Sequence, residues 1–131
     1  EFSKRLKDLM RYQDLNPNDI QLLKIGRHFR LNPSSKLIVG RNELENERLL
    51  NLARDNDYLF MPSDELPGPT CLGRGNFNED LIKLCCRIAC RYCDRDGKED
   101  ADIIYKIIPE KEAAVIKASA LDEKGLAERR I

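Results

Sequence analysis

Apolar and polar positions follow two different periods in the first third of the chain. Helical spacing of the apolar residues predicts a first helix over about residues 3 to 13, and Asn16-Pro17 is a typical start for a second helix. Beyond that start the period shortens. Two runs rich in β-forming residues, GRHFRL and KLIVGR, flank NPSS, whose residues favour a turn. The pattern predicts a β-hairpin directly after two helices.

The middle of the chain continues with one helix and two strands. Asn42 and Glu45 have the spacing of a capping box at the start of a helix that extends to about residue 54. YLFMP at residues 58–62 predicts a third strand. TCLGRG at residues 70–75 predicts a fourth strand, whose glycines permit the close approach of another backbone.

The strongest helical pattern lies between residues 78 and 95. One side is apolar and includes Tyr92, with cysteines beside it. The opposite side carries a line of cations at helical spacing, namely Lys83, Arg87 and Arg91. Residues 101–108 and 112–119 then predict a second hairpin, followed by a short helical tail.

This order of elements predicts an α+β fold. We expect a mainly antiparallel sheet built from two β-hairpins and two short strands, with helices packed on one face. The chain fits a single accessory domain, divided into a helical lead-in at 1–25, a core at 26–108 and a terminal strand and tail at 109–131. It opens without Met and already in a helical pattern, so we expect a fragment of a larger protein.

Composition changes this picture little. A length of 131 residues with 41% hydrophobic residues suffices for one domain with a core. Because 23 basic residues balance 23 acidic ones, the whole-chain field favours neither nucleic acid nor an anionic membrane. No apolar run approaches the roughly 18 residues of a membrane helix. We therefore expect a soluble, cytoplasmic protein with no membrane partner.

Charges are nevertheless sorted along the predicted first hairpin. Residues 20–42 include five Lys or Arg and one His, and no Asp or Glu. Strand alternation places Arg27 on the face with Phe29, and places His28 and Arg30 on the other face. Such a cluster is typical either of phosphate-backbone binding or of an ordinary solvated strand face.

The start of the third predicted helix adds to the phosphate-binding interpretation. Unpaired backbone amides after Asn42 form a natural anion site next to Arg41. Glu43 and Glu45 oppose this, because they already interact with the positive end of the helix dipole. The residues alone leave both interpretations open.

Four of the five cysteines are crowded into LCCRIACRYC. The full set is Cys71, Cys85, Cys86, Cys90 and Cys93. An odd number on one helix does not make a disulfide framework, so we expect reduced thiols that pack in the core. A metal site completed by Cys71 or His28 is the weaker alternative. We expect His28 to be exposed or partly buried, and no nucleophile can be placed beside it to form a catalytic site.

Three short motifs give a more specific indication: GRHF at residues 26–29, VGRN at residues 39–42 with Asn46, and PGPT at residues 67–70. Together they resemble the RNA-binding NFACT-R type of domain, in the variant that follows a PP-loop ATPase domain in proteins similar to bacterial tRNA thiouridine synthases. The resemblance extends over about residues 2–108. It implies an accessory domain that holds RNA, with tRNA the expected RNA, while the PP-loop domain activates a uridine for sulfur insertion. ATP and Mg²⁺ are expected on that other domain, and no cofactor or metal on this chain.

We therefore predict a non-catalytic RNA-binding module. Arg27, Arg41 and Asn42 fall on the resembling motifs, and folding is expected to gather the cations into one continuous patch away from carboxylates. The predicted RNA-contact residues are Arg27, His28, Arg30, Lys36, Arg41, Asn42, Arg74, Lys83, Arg87 and Arg91. The expected partners are RNA and the upstream PP-loop domain.

Two alternatives belong to other functional classes. In the first, an exposed thiol such as Cys71 or Cys93 relays sulfur as a persulfide, which requires an accessible thiolate. In the second, the domain has a structural role, and it docks the catalytic domain or forms a homodimer through an apolar face of the first helix.

Overall fold

The computed structural model describes residues 2–63 and 66–131. Within this part of the chain the elements are, in order, α1 Phe2–Tyr12, α2 Pro17–Leu22, β1 Arg27–Asn32, β2 Ser35–Val39, α3 Glu43–Leu52, β3 Tyr58–Pro62, β4 Cys71–Gly75, α4 Glu79–Arg91, β5 Asp100–Ile107, β6 Ala114–Ser119 and α5 Glu123–Arg129. Of these helices, none is long and apolar enough to cross a bilayer.

The six strands form one sheet in the order β1-β2-β4-β3-β5-β6, and every neighbouring pair is antiparallel. This confirms the predicted α+β class with an antiparallel sheet that contains both hairpins. The register pairs Arg30 with Lys36 and Lys36 with Arg74. Three cationic residues of β1, β2 and β4 therefore lie side by side on one face of the sheet.

Helices cover both faces of the sheet, whereas the sequence analysis placed them on one face. Leu37 and Val39 pack in a core cluster with Ile88 of α4, while Ile38 packs in a second cluster with Leu49 of α3. Successive strand residues point to opposite faces, so the run from Leu37 to Val39, all of it buried, requires cover on both sides.

Asparagine caps fix the starts of three helices. Side-chain oxygens of Asn16, Asn42 and Asn78 accept hydrogen bonds from backbone amides three residues later, at 3.0, 2.9 and 2.8 Å. Each bond satisfies one of the amides that a helix start leaves unpaired. The predicted caps at Asn16 and Asn42 are confirmed.

The end of the chain packs against the free edge of β1. Leu126 of α5 lies in the larger core cluster, and Phe29 forms an isolated antiparallel bridge with Arg130. The amide of Ile131 donates to the carbonyl oxygen of His28 at 3.0 Å. This pairing protects an edge strand and brings residues near 130 next to the start of β1.

Candidate nucleic-acid interface

The three sequence motifs meet at one cleft of about 360 Å³. We call it the Arg27–Tyr92 cleft, and its lining residues are Arg27, Gly40, Arg41, Asn42, Glu43, Asn46, Gly68, Pro69 and Tyr92. It lies where β1 begins, β2 ends, α3 begins and α4 ends. Residues far apart in the sequence are thus brought to one place by the sheet order.

Backbone contacts between two of the motifs shape the floor of this cleft. The amide of Gly40 donates to the carbonyl oxygen of Thr70 at 3.0 Å, and the amide of Thr70 donates to Asn46 Oδ1 at 3.1 Å. A Cβ on residue 40 would clash with that same Oδ1, so only glycine fits at this position. Gly40 and Asn46 therefore fix the cleft's shape.

Arg41 is held in a defined orientation at the edge of the cleft. Its Nε donates to Glu45 Oε1 at 2.9 Å and its Nη2 to Glu45 Oε2 at 2.7 Å. The hydrogen bond from Arg41 lowers the pKa of Glu45 to about 2. Because the Arg41 side chain keeps 46% of its surface exposed, the guanidinium remains accessible, although a carboxylate partly offsets its charge. The Asn42 side chain next to it is used in capping α3.

Arg27 stacks on Tyr92, with its guanidinium carbon 4.6 Å from the ring centroid, a distance typical of a cation–π contact. In the part of the chain that the structure describes, no carboxylate lies within ion-pair distance of Arg27. The sequence analysis placed Tyr92 on the apolar side of its helix and missed this contact. Arg27 and Phe29 share a strand face, which was the one signal available.

A loop contact holds the end of α4 in place. The amide of Asp94 donates to the carbonyl oxygen of Pro67 at 2.9 Å. A Cβ on Gly68 would lie 2.8 Å from Cys93 Sγ, so glycine lets the PGPT loop approach the helix closely. These contacts hold the backbone directly after Tyr92 and so help to position Tyr92 in the cleft.

A second cleft, of about 780 Å³, also has Tyr92 in its lining. We call it the C-terminal cleft, and its lining residues are Lys4, Arg91, Tyr92, Glu123, Leu126, Ala127, Arg130 and Ile131. Arg130 lies over the Phe29 ring, 5.5 Å from its centroid. Sequence reasoning missed Lys4 and Arg130, because only the long-range pairing of the chain end with β1 places Arg130 here.

The expectation of one continuous patch without carboxylates is wrong. Arg30, Lys36 and Arg74, which we call the cation row, face away from the Arg27–Tyr92 cleft. Arg30 forms an ion pair of 2.6 Å with Asp8 of α1 and lies 4.5 Å from the centroid of the Tyr12 ring. Its side chain is only 13% exposed, since α1 covers this part of the sheet.

Arg74 is enclosed by two carboxylates. Its Nε and Nη2 donate to Asp57 at 3.0 and 2.6 Å, and its Nη1 donates to Asp19 at 2.9 Å and to Asn18 at 2.6 Å. The side chains of Arg74, Asp19 and Asp57 are nearly buried. Paired burial of this kind stabilises opposite charges that would otherwise be costly to desolvate, so the guanidinium serves the fold.

His28 and Lys36 are also buried on this face, which corrects the expectation that His28 is exposed or partly buried. The Nε2 proton of His28 is directed at the carbonyl oxygens of Leu22 and Ile25, at 3.0 and 2.8 Å. Burial lowers the pKa of His28 well below its usual value, so the ring is neutral at pH 7. Burial likewise lowers the pKa of Lys36 to about 8, and the nearby charge of Arg30 adds to the effect.

The three cations on α4 do not all lie in the same place: Arg91 lines a cleft, whereas Lys83 and Arg87 do not. Lys83 is exposed and lies 3.8 Å from Glu79, and Arg87 Nε donates to the carbonyl oxygen of Ser119 at 3.3 Å. Arg91 forms an ion pair with Glu123 and lines the C-terminal cleft. Of the ten predicted contact residues, the two clefts thus bring together Arg27, Arg41, Asn42 and Arg91.

All five cysteines are free and buried, which confirms core packing. Burial raises the pKa of Cys86 to about 12 and that of Cys93 to about 11, and raises the pKa of Cys71 well above its usual value. A relay thiol must be exposed as a thiolate, so the sulfur-relay alternative is wrong. Within residues 2–63 and 66–131, no three His, Cys, Asp or Glu side chains are placed to hold a metal ion.

Comparisons with known proteins agree with the fold and show the family of the chain. The fold is similar to the structure of the C-terminal of the fibronectin/fibrinogen-binding protein from Streptococcus suis, with a TM-score of 0.70 at 13% sequence identity over 82% of this chain and 50% of that chain. This chain thus spans about half the length of that structure. The search of curated proteins found no match to the present chain. The sequence profile of the family described as NFACT protein RNA binding domain matches residues 26–129. The chain therefore belongs to the NFACT protein RNA binding domain family.

Proposed function

We propose that this chain is a non-catalytic module that binds tRNA, and that it is the accessory domain of a cytoplasmic PP-loop enzyme that thiolates uridine. The observation that carries the proposal is the Arg27–Tyr92 cleft, where all three motifs of an RNA-binding family meet around two accessible guanidiniums. ATP and Mg²⁺ belong to the PP-loop domain in this proposal, and the present residues hold the RNA.

Binding would act mainly through phosphates. Arg27 and Arg41 offer guanidinium groups in the Arg27–Tyr92 cleft, and Lys4 and Arg130 extend the positive lining into the C-terminal cleft. Arginine forks match phosphate oxygens in a two-bond geometry. Contacts of this kind position the RNA without reading its sequence, so affinity falls steeply as salt rises.

Titration of labelled tRNA at low and moderate salt tests the binding step. The double variant Arg27→Ala/Arg41→Ala is expected to lose at least about tenfold in affinity and to have a shallower salt dependence. Lys111→Ala/Lys117→Ala is the matched control, because both lysines are exposed and lie at or beside β6, at the opposite edge of the sheet. Equal affinities of the two double variants, or no binding of tRNA at low salt, would rule the proposal out.

The enzymatic context is tested in cells. The full-length parent protein carrying Arg27→Ala/Arg41→Ala is expected to give less thiolated uridine in total tRNA than the unchanged parent, as measured by mass spectrometry of nucleosides. Unchanged levels of every thiolated nucleoside would contradict the proposed role in uridine thiolation, while leaving RNA binding itself standing.

A second candidate role is docking of the PP-loop domain through α1, and exposed apolar side chains favour it. Phe2, Met10 and Tyr12 have 40%, 59% and 37% of their surface exposed, and such residues are typical of contact surfaces when they cluster. Sedimentation of the isolated domain is expected to give a monomer. A dimer that Met10→Glu dissociates would instead assign this helix to a homodimer.

A further inference from the structure

Tyr92 belongs to the lining of both clefts and is the one residue that their linings share. Arg27 lies over this ring, Phe29 contacts it at 6.2 Å between centroids with a tilt of 49°, and Arg130 lies over Phe29. Two rings with an arginine at each end thus form a series of contacts that links Arg27 of one cleft to Arg130 of the other.

The charges around this series favour a polyanion that passes through both clefts. Neither Arg27 nor Arg130 has a carboxylate within ion-pair distance among the described residues, and Arg41 remains half exposed. The opposing acids are Glu43 in the Arg27–Tyr92 cleft and Glu123 in the C-terminal cleft, the latter paired with Arg91.

We propose that the Arg27–Tyr92 pair is the platform for an unpaired RNA base, and that a single strand runs from the Arg27–Tyr92 cleft past Tyr92 into the C-terminal cleft. This inference rests on the proposed RNA binding and names its substrate class, a loop or other unpaired segment. Bases in a duplex are stacked on one another, whereas unpaired bases are free to stack on aromatic rings and guanidinium planes.

The sizes of the clefts agree with this substrate class. Volumes of about 360 and 780 Å³ lie in the range of about 300–1,000 Å³ that is typical of sites for small molecules. Such spaces admit a base or a nucleotide and exclude a double helix, which would touch only the rim. The cations that line the clefts would still give a duplex some affinity through its phosphates.

A fluorescent reporter at residue 92 tests the platform directly, because the chain has no Trp. In Tyr92→Trp, a short unstructured RNA strand is expected to quench the fluorescence of the new indole on binding, while a blunt duplex of the same length does not. Tyr12→Trp is the matched control, since Tyr12 also carries an arginine over its ring, Arg30 at 4.5 Å, but on the other face of the sheet. Equal quenching by strand and duplex, or quenching only at residue 12, would overturn the inference.

Affinities separate this inference from the proposed function. Tyr92→Ala is expected to weaken binding of the unpaired strand by about tenfold and to leave duplex binding within about twofold. Tyr92→Phe keeps an aromatic ring and is expected to recover most of the lost affinity for the strand, while Tyr12→Ala is expected to bind as the unsubstituted domain does. If Tyr92→Ala weakens strand and duplex equally, the platform is wrong and RNA binding stands. If neither RNA binds the unsubstituted domain at low salt, the proposed RNA-binding function itself is wrong.

Discussion

The two faces of the β1–β2 hairpin carry the same kind of side chain in opposite electrostatic settings. On one face, Arg27 stacks on Tyr92 at the edge of a cleft, with no ion pair among the residues the structure describes. On the other face, Arg30 is paired with Asp8. Its cross-strand neighbour Lys36 is nearly buried, and so is Arg74, which pairs with Lys36 from β4. Arg27 and Arg30 are three residues apart and point to opposite faces of β1. The face decides whether the guanidinium lines a cleft or pairs with a carboxylate.

The difference teaches what a local run of positive charge can and cannot indicate. The acids that pair with Arg30 and Arg74 come from α1, α2 and the turn before β3, all of which lie outside the hairpin. A buried cation without such a partner lowers stability, whereas a cation that serves a ligand is useful only if its charge is left available. The run of positive charge therefore does not correspond to one binding site. The cations on one face stabilise the fold, and those on the other face line the candidate interface.

The largest effect that tests this comparison is on stability. Arg74→Ala leaves Asp57 buried without its guanidinium partner and leaves Asp19 with only the longer ion pair to Arg54, at 3.5 Å. It is expected to lower the free energy of unfolding by about 3–5 kcal/mol. Arg27→Ala removes only one stacking contact and is expected to lower it by less than about 1 kcal/mol. Urea denaturation of both variants measures the two values.

The contrast between these two variants is the decisive observation. If Arg74→Ala fails to fold while Arg27→Ala folds normally, the structural assignment of the cation row holds. Arg74→Lys, which keeps a positive charge, is then expected to fold with a smaller loss of stability that can be measured. Equal and small losses for both variants would mean that Asp19 and Asp57 are solvated, and the two faces would not differ in the way described.

Local patterns predicted much of the fold because they have local causes. Asn16 and Asn42 cap helices through bonds to residues three positions away, and the NPSS turn follows from the residues within it. The three successive apolar residues from Leu37 to Val39, all of them buried, also indicate that both faces of the sheet are covered. The sequence analysis considered each strand by itself and did not use this signal. These features could be predicted without knowing the topology.

The site was predicted only in part, because its members meet through long-range pairing. Arg27 and Arg41 were identified by their motifs. Tyr92 was assigned to the core because its helix face is apolar, and Arg130 was missed because nothing near it in sequence indicates β1 as its neighbour. Strand alternation already separated Arg27 from Arg30, so the expectation of one shared patch conflicted with the predicted hairpin itself.

Lys36 gives the next largest effect and sharpens the description of the buried face. Its folded-state pKa of about 8 lies below the ordinary value of 10.5, so the unfolded state binds more protons between these two pH values and stability rises with pH there. The penalty for the buried charge is fully present at pH 7. Lys36→Met is expected to be about 1–2 kcal/mol more stable than the unsubstituted domain at pH 7. The difference is expected to shrink toward pH 10, and urea denaturation at several pH values measures it. A destabilised Lys36→Met would mean that the ammonium has a carboxylate partner that outweighs its burial.

Paired single variants on the two faces test the functional side of the comparison. Arg27→Ala is expected to lower tRNA affinity about fivefold, or about 1 kcal/mol, and to reduce the slope of log affinity against log salt by about one phosphate contact. Arg30→Ala, three residues away on the opposite face, is expected to leave affinity within about twofold, measured under conditions in which the variant is folded. The same loss for both variants would place the RNA across the hairpin and not in the cleft.

The smallest expected effect concerns the acid that faces the candidate interface. Glu43 lines the Arg27–Tyr92 cleft beside Arg41, so its carboxylate repels phosphates that the arginines attract. Glu43→Gln is expected to raise tRNA affinity about twofold at low salt, with the gain vanishing as salt screens the charge, and to cost about 0.3–1 kcal/mol of stability by weakening the charge at the start of α3. Glu47→Gln, exposed further along the same helix, is the control and is expected to change affinity less. A loss of affinity in Glu43→Gln would instead mean that this carboxylate accepts a hydrogen bond from a base or a ribose hydroxyl, which would make the cleft a site that reads more than phosphate.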